Sequence, residues 1–291
     1  MFPLWQPIAA NQTRRAYPFT FTTFLMPLRF ISEIAHRLGY QITKQSSSAP
    51  DFPAIELPFI DLLHLIVQDY RQHQPDLFVV QIGAHDGSSA DPVSQLIRKY
   101  HWRGILVEPQ PYTFKTLQAN YQDQPQLIFE NAVISDHDGT AAFYTIRQGI
   151  ADLPFWLSQS ASLSREAVWG ALYYWRNVKQ LDTIPEDLDS MIQETPLPAL
   201  TIQSLLAKHQ VAQVDLLVLD TMGFDFEILK MMPFDYIKPA IIHFEHSFLS
   251  PADQQACFQF LAQQGYSLAK VAVDTIAYLH APTRHWSVSN W

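Results

Sequence analysis

The sequence contains a single cysteine, Cys257, among its 291 residues, so the chain cannot form an internal disulfide. This scarcity is typical of proteins in reducing compartments, and we expect a cytoplasmic location. The sequence also lacks an apolar run long enough to span a bilayer. Arg14 and Arg15 precede an apolar stretch, as in a twin-arginine export signal, but Pro18 and Arg29 interrupt that stretch, so export is not expected.

Positive charge is scarce as well. The chain has 19 Lys and Arg against 28 Asp and Glu, a formal net charge of -9, which argues against a nucleic-acid-binding face and fits a partner that is a neutral or cationic small molecule. Its 48% hydrophobic content predicts a folded core. Aromatic residues make up 13% of the chain, and they fit either an aromatic pocket or an ordinary core and subunit interface, so a homo-oligomer stays open.

The first 50 residues differ from the rest. Ile31, Ile34 and Leu38 share one helical face, which predicts a helical appendage, and the segment from Lys44 to Pro50 has the composition of a linker. We therefore divide the chain into an appendage with its linker, residues 1–50, and a main domain, residues 51–291.

Apolar runs alternate with helical patterns through the main domain. The predicted strands are Leu77–Ile82, Gly104–Val107, Leu127 towards Val133, Ala141–Ile146 as a hairpin strand, Leu216–Leu219 and Ile241–Phe244. The predicted helices are Phe59–His73, one opening at Asp91-Pro92, Pro111–Tyr121, Thr201–His209, Phe226–Met232 and Ser250–Gly265. This alternation predicts a doubly wound, mostly parallel α/β sheet, closed by an antiparallel hairpin of Ser267–Val273 and Thr275–Leu279.

Residues 147–198 interrupt this rhythm. They contain Trp156, Trp169, Tyr173, Tyr174 and Trp175, with a helix predicted near Arg165–Asn177. We interpret the segment as a cap over the active edge of the sheet, or alternatively as a subunit contact. In a cap, aromatic rings could stack on a ligand, and Arg165 and Arg176 could bind an acidic group.

Polar loops follow the predicted strands, and ligands of open α/β sheets bind at these carboxyl ends. The loops are Gly83–Ser89, Glu108–Gln110, Asn131–Ser135, Asp220–Asp225 and Glu245-His246. The first loop allows close backbone approach to a ligand but is not the G-x-G-x-x-G of dinucleotide binders, which argues against a nicotinamide cofactor. Glu108, at the end of the next strand, is placed to accept hydrogen bonds from a ribose diol.

These segments together resemble the FkbM-type methyltransferases. The likeness covers roughly residues 75–280 and lies in Val79–Gly87, Ile105–Gln110, Phe129–Ser135 with Asp138-Gly139, Val214–Asp220, Gly223–Ile228 and Lys238–Glu245. The resemblance implies a Rossmann-like class I methyltransferase fold that uses S-adenosylmethionine. It also implies transfer of the methyl group to a hydroxyl oxygen, often on a sugar or secondary metabolite.

The resemblance further assigns the cofactor contacts. The Gly83–Gly87 loop would hold the methionine part, Glu108 the ribose, and Asn131–Ile134 the adenine. The predicted cofactor-binding residues are Gln81, Gly83, His85, Asp86, Ser88, Glu108, Pro109, Gln110, Asn131, Ala132 and Ile134.

An alcohol is a weak nucleophile and needs a base. Asp220 is the first candidate, Glu245 and His246 are the second, and His85 is the third; Glu245-His246 is otherwise a structural pair. His243 is expected to be a packed core histidine. A divalent metal could bind such carboxylates and imidazoles, but no local motif requires one, and none is predicted.

One position departs from the family pattern. Members usually read Asp-x-Glu-Gly at the fourth strand end, whereas this chain reads Asp220-Thr221-Met222-Gly223. If the missing Glu takes part in catalysis, the chain is instead a methyltransferase-like binding protein, and production of S-adenosylhomocysteine would distinguish the two hypotheses.

Overall fold

The computed structural model describes residues 61–147, 153–154, 157, 159–178 and 184–279. The predicted appendage and linker (1–50) and Trp156 lie outside the described residues. Within these ranges no helix combines the length and the apolarity that crossing a membrane requires.

The main sheet has seven strands and is doubly wound, as predicted. In chain order the strands are β1 (Phe78–Ile82), β2 (Arg103–Val107), β3 (Leu127–Glu130), β8 (Leu216–Leu219), β9 (Ile241–Glu245), β10 (Ser267–Val271) and β11 (Asp274–Tyr278). Their spatial order is β10-β11-β9-β8-β1-β2-β3. The five strands from β9 to β3 are parallel to their neighbours, and β11 pairs antiparallel with both β9 and β10. This arrangement confirms the predicted mostly parallel sheet with its closing hairpin.

Helices cover both faces of this sheet. They are α1 (Leu62–Arg71), α2 (Ser94–Tyr100), α3 (Pro111–Asn120), α5 (Ile202–Lys208), α6 (Asp225–Met231) and α7 (Pro251–Gln263), while α4 (Arg165–Tyr173) lies in the insertion. Thr201 caps α5 and Ser250 caps α7 with side-chain oxygens, as their sequences predict. Coverage on both faces explains why β1 is a nearly continuous apolar run: Val80 packs into one core and Val79 into the other.

A second sheet of four strands differs from the prediction. It consists of β4 (Val133–Ile134), β5 (Gly139–Ile146), β6 (Ala161–Ser162) and β7 (Ile192–Leu200), in the order β4-β7-β5-β6. The prediction that Ala141–Ile146 pairs back as a hairpin strand was wrong, because its long partner is β7. β7 was not predicted, and its Pro196 and Pro198 are residues that strands normally exclude. They are tolerated here because β4 pairs only with the last two residues of β7.

Two boundaries also differ. The third strand does not continue to Val133, because the chain leaves the main sheet at Asn131, whose side-chain amide donates to the carbonyl oxygens of Glu108 (2.8 Å) and Pro109 (3.0 Å). The helix expected to open at Asp91 begins at Ser94 instead. The Asp91 carboxylate still accepts hydrogen bonds from the Val93 and Ser94 amides, but it does so from outside the helix.

Candidate active site

A cavity of about 310 Å³ lies at the carboxyl ends of the parallel strands. Loops that follow β1, β2, β8 and β9 line it, and the strand order reverses between β1 and β8. This is the topological switch point at which open α/β sheets bind ligands. The strand-end loops singled out in the sequence therefore converge on one cavity.

Gly83 fixes the close approach of the β1 loop to β8. Its φ of +85° belongs to the region that favours glycine. A Cβ atom at this position would lie 1.9 Å from the Asp220 carbonyl oxygen. The Gly83 and Ala84 amides donate to the Val107 carbonyl oxygen at 3.0 and 2.9 Å, which ties the loop to β2 as well.

Glu108 is a buried carboxylate held by backbone amides. One oxygen accepts from the His85 N–H (3.0 Å) and the other from the Gln110 N–H (2.8 Å). Burial raises the pKa of Glu108 to about 7, and the charge of Asp220 adds to this, against the lowering effect of the two hydrogen bonds. Each oxygen keeps capacity for a further hydrogen bond, so the carboxylate can accept two hydroxyl groups of a ligand.

Asp86 and Ser88 do not line the cavity. The Asp86 carboxylate accepts hydrogen bonds from the Ser88 and Ser89 amides at 2.8 and 2.7 Å. Burial would raise the pKa of Asp86, but the hydrogen bonds from Ser89 and Ser88 outweigh it and hold the pKa below its ordinary value. Asp86 therefore shapes the loop rather than facing the ligand space, and the sequence could not separate these two roles.

Gln81 lines the cavity together with Asp91, a residue that sequence analysis treated only as a helix cap. The Gln81 amide donates to the Asp91 carboxylate (3.1 Å). Burial raises the pKa of Asp91. The signal that could have identified Asp91 is its place in the loop after β1.

The remaining predicted cofactor-binding residues fall into two groups, those that line the cavity and one that does not. His85, Pro109, Gln110, Ala132 and Ile134 line the cavity, whereas Asn131 does not. Asn131 instead uses its amide to hold the β2 loop, as described above.

Asp220 and Glu245 meet across the ends of β8 and β9. Both carboxylates line the cavity, and the Ser247 hydroxyl donates to Glu245 at 2.7 Å. Burial and the charge of Asp220 raise the pKa of Glu245 well above its ordinary value. Burial also raises the pKa of Asp220, and the neighbouring Glu245 opposes this rise.

Asp225 lies behind this pair and is fully buried. It accepts a hydrogen bond from the Thr221 hydroxyl (2.8 Å). Burial and the charge of Asp220 raise the pKa of Asp225 to about 7.

Asp274, which sequence analysis missed, lines the same end of the cavity. It begins β11 and is the register partner of Glu245. Burial and the charges of Asp220 and Asp225 raise its pKa to about 7. His243 Nε2 lies 3.7 Å from its carboxylate, too far for a hydrogen bond, and burial lowers the pKa of His243 to about 4, so that ring is neutral at pH 7.

His246 does not line the cavity, in contrast to its predicted catalytic role. Its Nδ1 lies 3.0 Å from the Thr275 hydroxyl, and its ring packs edge-on against Phe258. His246 follows the last residue of β9, and these contacts direct its ring towards Thr275 and Phe258. The prediction that His243 is a packed core histidine agrees with its 8% exposure, although its ring also reaches the cavity wall.

The insertion contributes one wall. Gln159, Ser160, Ala161 and Leu163 line the cavity. The buried Ser162 hydroxyl donates to the Met222 carbonyl oxygen (2.9 Å), which joins the second sheet to the β8 loop.

Met222 is 6% exposed and packs in an apolar cluster of the insertion with Leu157 and Val168, among others. Arg165 pairs with Asp189 (2.6 Å), and Arg176 donates to the Ile184 carbonyl oxygen (3.1 Å). Neither arginine lines the cavity.

The described part of the chain contains no group of three or more His, Cys, Asp or Glu side chains arranged to hold a metal ion.

Comparisons with known proteins agree with this architecture. The family model described as the methyltransferase FkbM domain matches residues 81–268, more than half of the chain. This match confirms the resemblance carried by the strand-end motifs. Curated proteins include no significant match to the sequence.

Three solved structures illustrate the similarity. The methyltransferase FkbM from Methylobacillus flagellatus KT is 12% identical with a TM-score of 0.42; the match covers 70% of this chain and only 44% of that protein. The precorrin-6y C5,15-methyltransferase from Geobacter metallireducens GS-15 is 13% identical (TM-score 0.36; 75% and 88% covered). An RNA methyltransferase from Salinibacter ruber, solved with S-adenosyl-L-homocysteine, is 10% identical (TM-score 0.34; 79% and 97% covered).

Proposed function

The chain belongs to the methyltransferase FkbM family, whose members use S-adenosylmethionine, and we propose that it methylates a hydroxyl oxygen of a sugar or secondary-metabolite-like small molecule. The observation that carries this proposal is the position of the Asp220 carboxylate in the cavity wall, at the point where the strand order reverses and with Glu245 also in the lining. A carboxylate placed there can act as the base that activation of an alcohol requires.

The loops after β1, β2 and β3 form what we call the cofactor half of the cavity. Two features fit S-adenosylmethionine there. Glu108 has two oxygens with spare hydrogen-bonding capacity, which suit a ribose diol. Gly83 keeps the β1 loop free of side-chain bulk and close to β8. When bound, the cofactor supplies an electrophilic methyl group on a sulfonium.

The acceptor half consists of the residues after β8, at the end of β9 and at the start of β11, facing the second sheet. Asp220 would hold the acceptor hydroxyl and take its proton as that oxygen is methylated, with S-adenosylhomocysteine as the leaving product. Walls from the insertion exclude water and orient the acceptor.

A small molecule suits this cavity better than a nucleic acid. Its described lining contains no lysine or arginine to bind phosphates, and the chain carries a net charge of -9. Methyl transfer to RNA in a parallel assay would contradict this part of the proposal. The single, buried and free Cys257 supports our placement of the protein in the cytoplasm.

Met222 supports a second candidate, a methyltransferase-like protein that binds the cofactor without turnover. The side chain sits in an apolar cluster at the position where the family usually has a carboxylate. Under the leading proposal, Asp220 and Glu245 make that carboxylate dispensable. Production of S-adenosylhomocysteine separates the two candidates.

The first experiment is calorimetric titration of S-adenosylmethionine into the wild type and Glu108→Ala. We expect binding by the wild type and a loss of at least about tenfold in the variant, because a charge-assisted hydrogen-bond acceptor is removed from a buried site. Glu227→Gln, an exposed substitution on α6, is the matched control and should bind as the wild type does. A wild type that does not bind the cofactor would refute the proposal.

A further inference from the structure

The charges at the wall of the acceptor half are of one sign. Asp220, Glu245 and Asp274 line it, and the described lining of the whole cavity includes no lysine or arginine. The two arginines that could have served an acidic acceptor, Arg165 and Arg176, bond to groups within the insertion instead. An anionic acceptor would therefore meet repulsion without compensation.

The position of Asp274 sets it apart from the cofactor half. In the strand order, β8 and β9 lie between β1 and β11, so Asp274 is three strand spacings from the Gly83 loop. At about 4.8 Å per strand, this separation is roughly 14 Å. A cofactor held by the Gly83 loop and Glu108 leaves this end of the cavity to the acceptor.

Hydrogen-bond acceptors exceed donors at this end. The Asp274 side chain is 32% exposed, and the described residues offer it no cationic partner, since His243 is neutral at pH 7. The buried His243 Nδ1 also has no hydrogen-bond partner among the described residues. Ionised carboxylates accept hydrogen bonds and cannot donate them, so a ligand group that donates hydrogen bonds suits this end of the cavity.

The surrounding wall also suits a cation. Phe143, Phe224 and Phe248 contribute rings to the lining of the cavity. Aromatic rings attract cations through their faces, and they keep out the water that would otherwise screen a carboxylate. Carboxylates in a cavity that aromatic residues also line favour an ammonium group over a neutral hydroxyl.

Resting on the proposed function, we propose that the methyl acceptor carries a protonated amine that binds Asp274, while the hydroxyl to be methylated faces Asp220. The acceptor class is then an amino alcohol, such as an amino sugar or an aminated metabolite. Asp274 is a specificity-determining residue in this account, and it takes no part in the transfer of the proton.

The raised pKa values of Asp274 and Glu245 agree with this assignment. Both carboxylates lie among other acids without a counter-charge. An ammonium group would supply that charge and favour their ionised forms.

The test uses S-adenosylhomocysteine-loaded protein and alcohols in matched forms: D-glucosamine, N-acetyl-D-glucosamine and D-glucuronate, extended to other amino alcohols with their N-acetyl derivatives. Binding is measured by calorimetry for the wild type, Asp274→Asn and Asp274→Glu. We expect amines to bind the wild type at least about tenfold more tightly than their N-acetyl forms. We expect Asp274→Asn to abolish that preference and Asp274→Glu to retain part of it.

Asp235→Asn, an exposed substitution outside the cavity, is the control and should keep the preference. The affinity of Asp274→Asn for S-adenosylhomocysteine should match the wild type, which shows that the variant is folded. Equal binding of amines and N-acetyl forms, preference for the uronate, failure of every amine to bind, or an unchanged preference in Asp274→Asn would each overturn the inference.

The outcome is separable from that of the proposed function. If amines bind through Asp274 but no methyl group is transferred, the proposed reaction fails and the assignment of the amine site stands. If S-adenosylmethionine is consumed with N-acetyl compounds in preference to amines, the reaction stands and the amine site fails.

Discussion

The two halves of the cavity differ in the groups that surround their carboxylates. In the loops of the cofactor half, backbone amides at 2.7–3.0 Å hold both Glu108, which lines the cavity, and Asp86, which does not. In the acceptor half, Asp220, Glu245 and Asp274 face one another, and the charge of Asp220 raises the pKa of both others. The carboxylates of the cofactor half are held by hydrogen bonds from the protein itself, whereas those of the acceptor half have no counter-charge in the described lining until a ligand binds.

This contrast indicates how one sheet edge can serve two tasks. Carboxylates bound by fixed amides are preorganised, so they can hold an invariant ligand at little cost. Carboxylates that crowd one another store unfavourable energy, which a proton or a cation can release. The substitution that should change this difference most is one that disturbs the contact between the two halves, where the β1 loop meets the β8 loop.

Gly83→Ala should have the largest effect, because a Cβ would lie 1.9 Å from the Asp220 carbonyl oxygen and would force the halves apart. We expect a loss of roughly 2–5 kcal/mol in the free energy of unfolding, measured by denaturant titration, and loss of cofactor binding. Gly139→Ala is the matched control: its φ is also positive, at +125°, but nothing lies within 4 Å of the added Cβ. Equal losses in the two variants would mean that backbone strain, not the contact, dominates.

Asp220→Asn should separate chemistry from cofactor binding. Without a base we expect kcat to fall by about 100-fold, or roughly 2.7 kcal/mol, in a S-adenosylhomocysteine production assay. Binding of S-adenosylhomocysteine should stay within about threefold of the wild type, because Glu108 and its amides are unchanged. A parallel collapse of cofactor binding would show that the halves are not independent.

Ser162→Ala tests the connection between the second sheet and the acceptor half. It removes the donor to the Met222 carbonyl oxygen, and we expect a loss of roughly 1–2 kcal/mol in stability together with a higher KM for the acceptor. Ser164→Ala is the control, since it removes the α4 cap at a similar cost in stability without touching the β8 loop. A raised KM in both variants would assign the effect to general loosening of the insertion.

Asp225→Asn should have the smallest effect, and the size of this effect depends on pH. The folded protein raises the pKa of Asp225 from 3.8 to about 7, so the folded state holds a proton that the unfolded state has released. The free energy of unfolding therefore falls as pH rises from about 4 to about 7, and the penalty is complete above that window. We expect the variant to exceed wild-type stability by on the order of 1 kcal/mol at about pH 8, and the difference to shrink towards pH 5.

Glu227→Gln, on the same helix, is the control for this measurement and should show no such trend between pH 5 and pH 8. The experiment is thermal and denaturant unfolding of the ligand-free protein across that range. An Asp225→Asn variant that is less stable at every pH would mean that the buried carboxylate is needed for its bond to Thr221.

The cofactor half could largely be predicted from the sequence. Gly83 and Glu108 follow consecutive parallel strands, each of which is an apolar run in the sequence. The end of such a run shows where the strand ends, even when its partner strand is not known. Distinguishing Glu108, which lines the cavity, from Asp86, which does not, required the positions of the Ser88 and Ser89 amides.

The acceptor half could not be predicted in the same way. Asp274 reaches the cavity only because β11 inserts between β9 and β10 and pairs with β9 in a register that sets Asp274 opposite Glu245. His246 was a catalytic candidate because it follows Glu245, but its place outside the cavity lining depends on contacts with Thr275 and Phe258 that the sequence does not reveal. β7 was not predicted, and its edge tolerates Pro196 and Pro198, which strands normally exclude.

The second sheet also has a consequence for how acceptors can change over evolution. The chain enters that sheet at Val133 and leaves it at Leu200, and Val133 and Ile134 are the register partners of Ala199 and Leu200. Entry and exit therefore lie side by side, about 5 Å apart. The segment between them could therefore be replaced as a unit during evolution. A descendant protein would then have a new wall for its acceptor and an unchanged cofactor pocket.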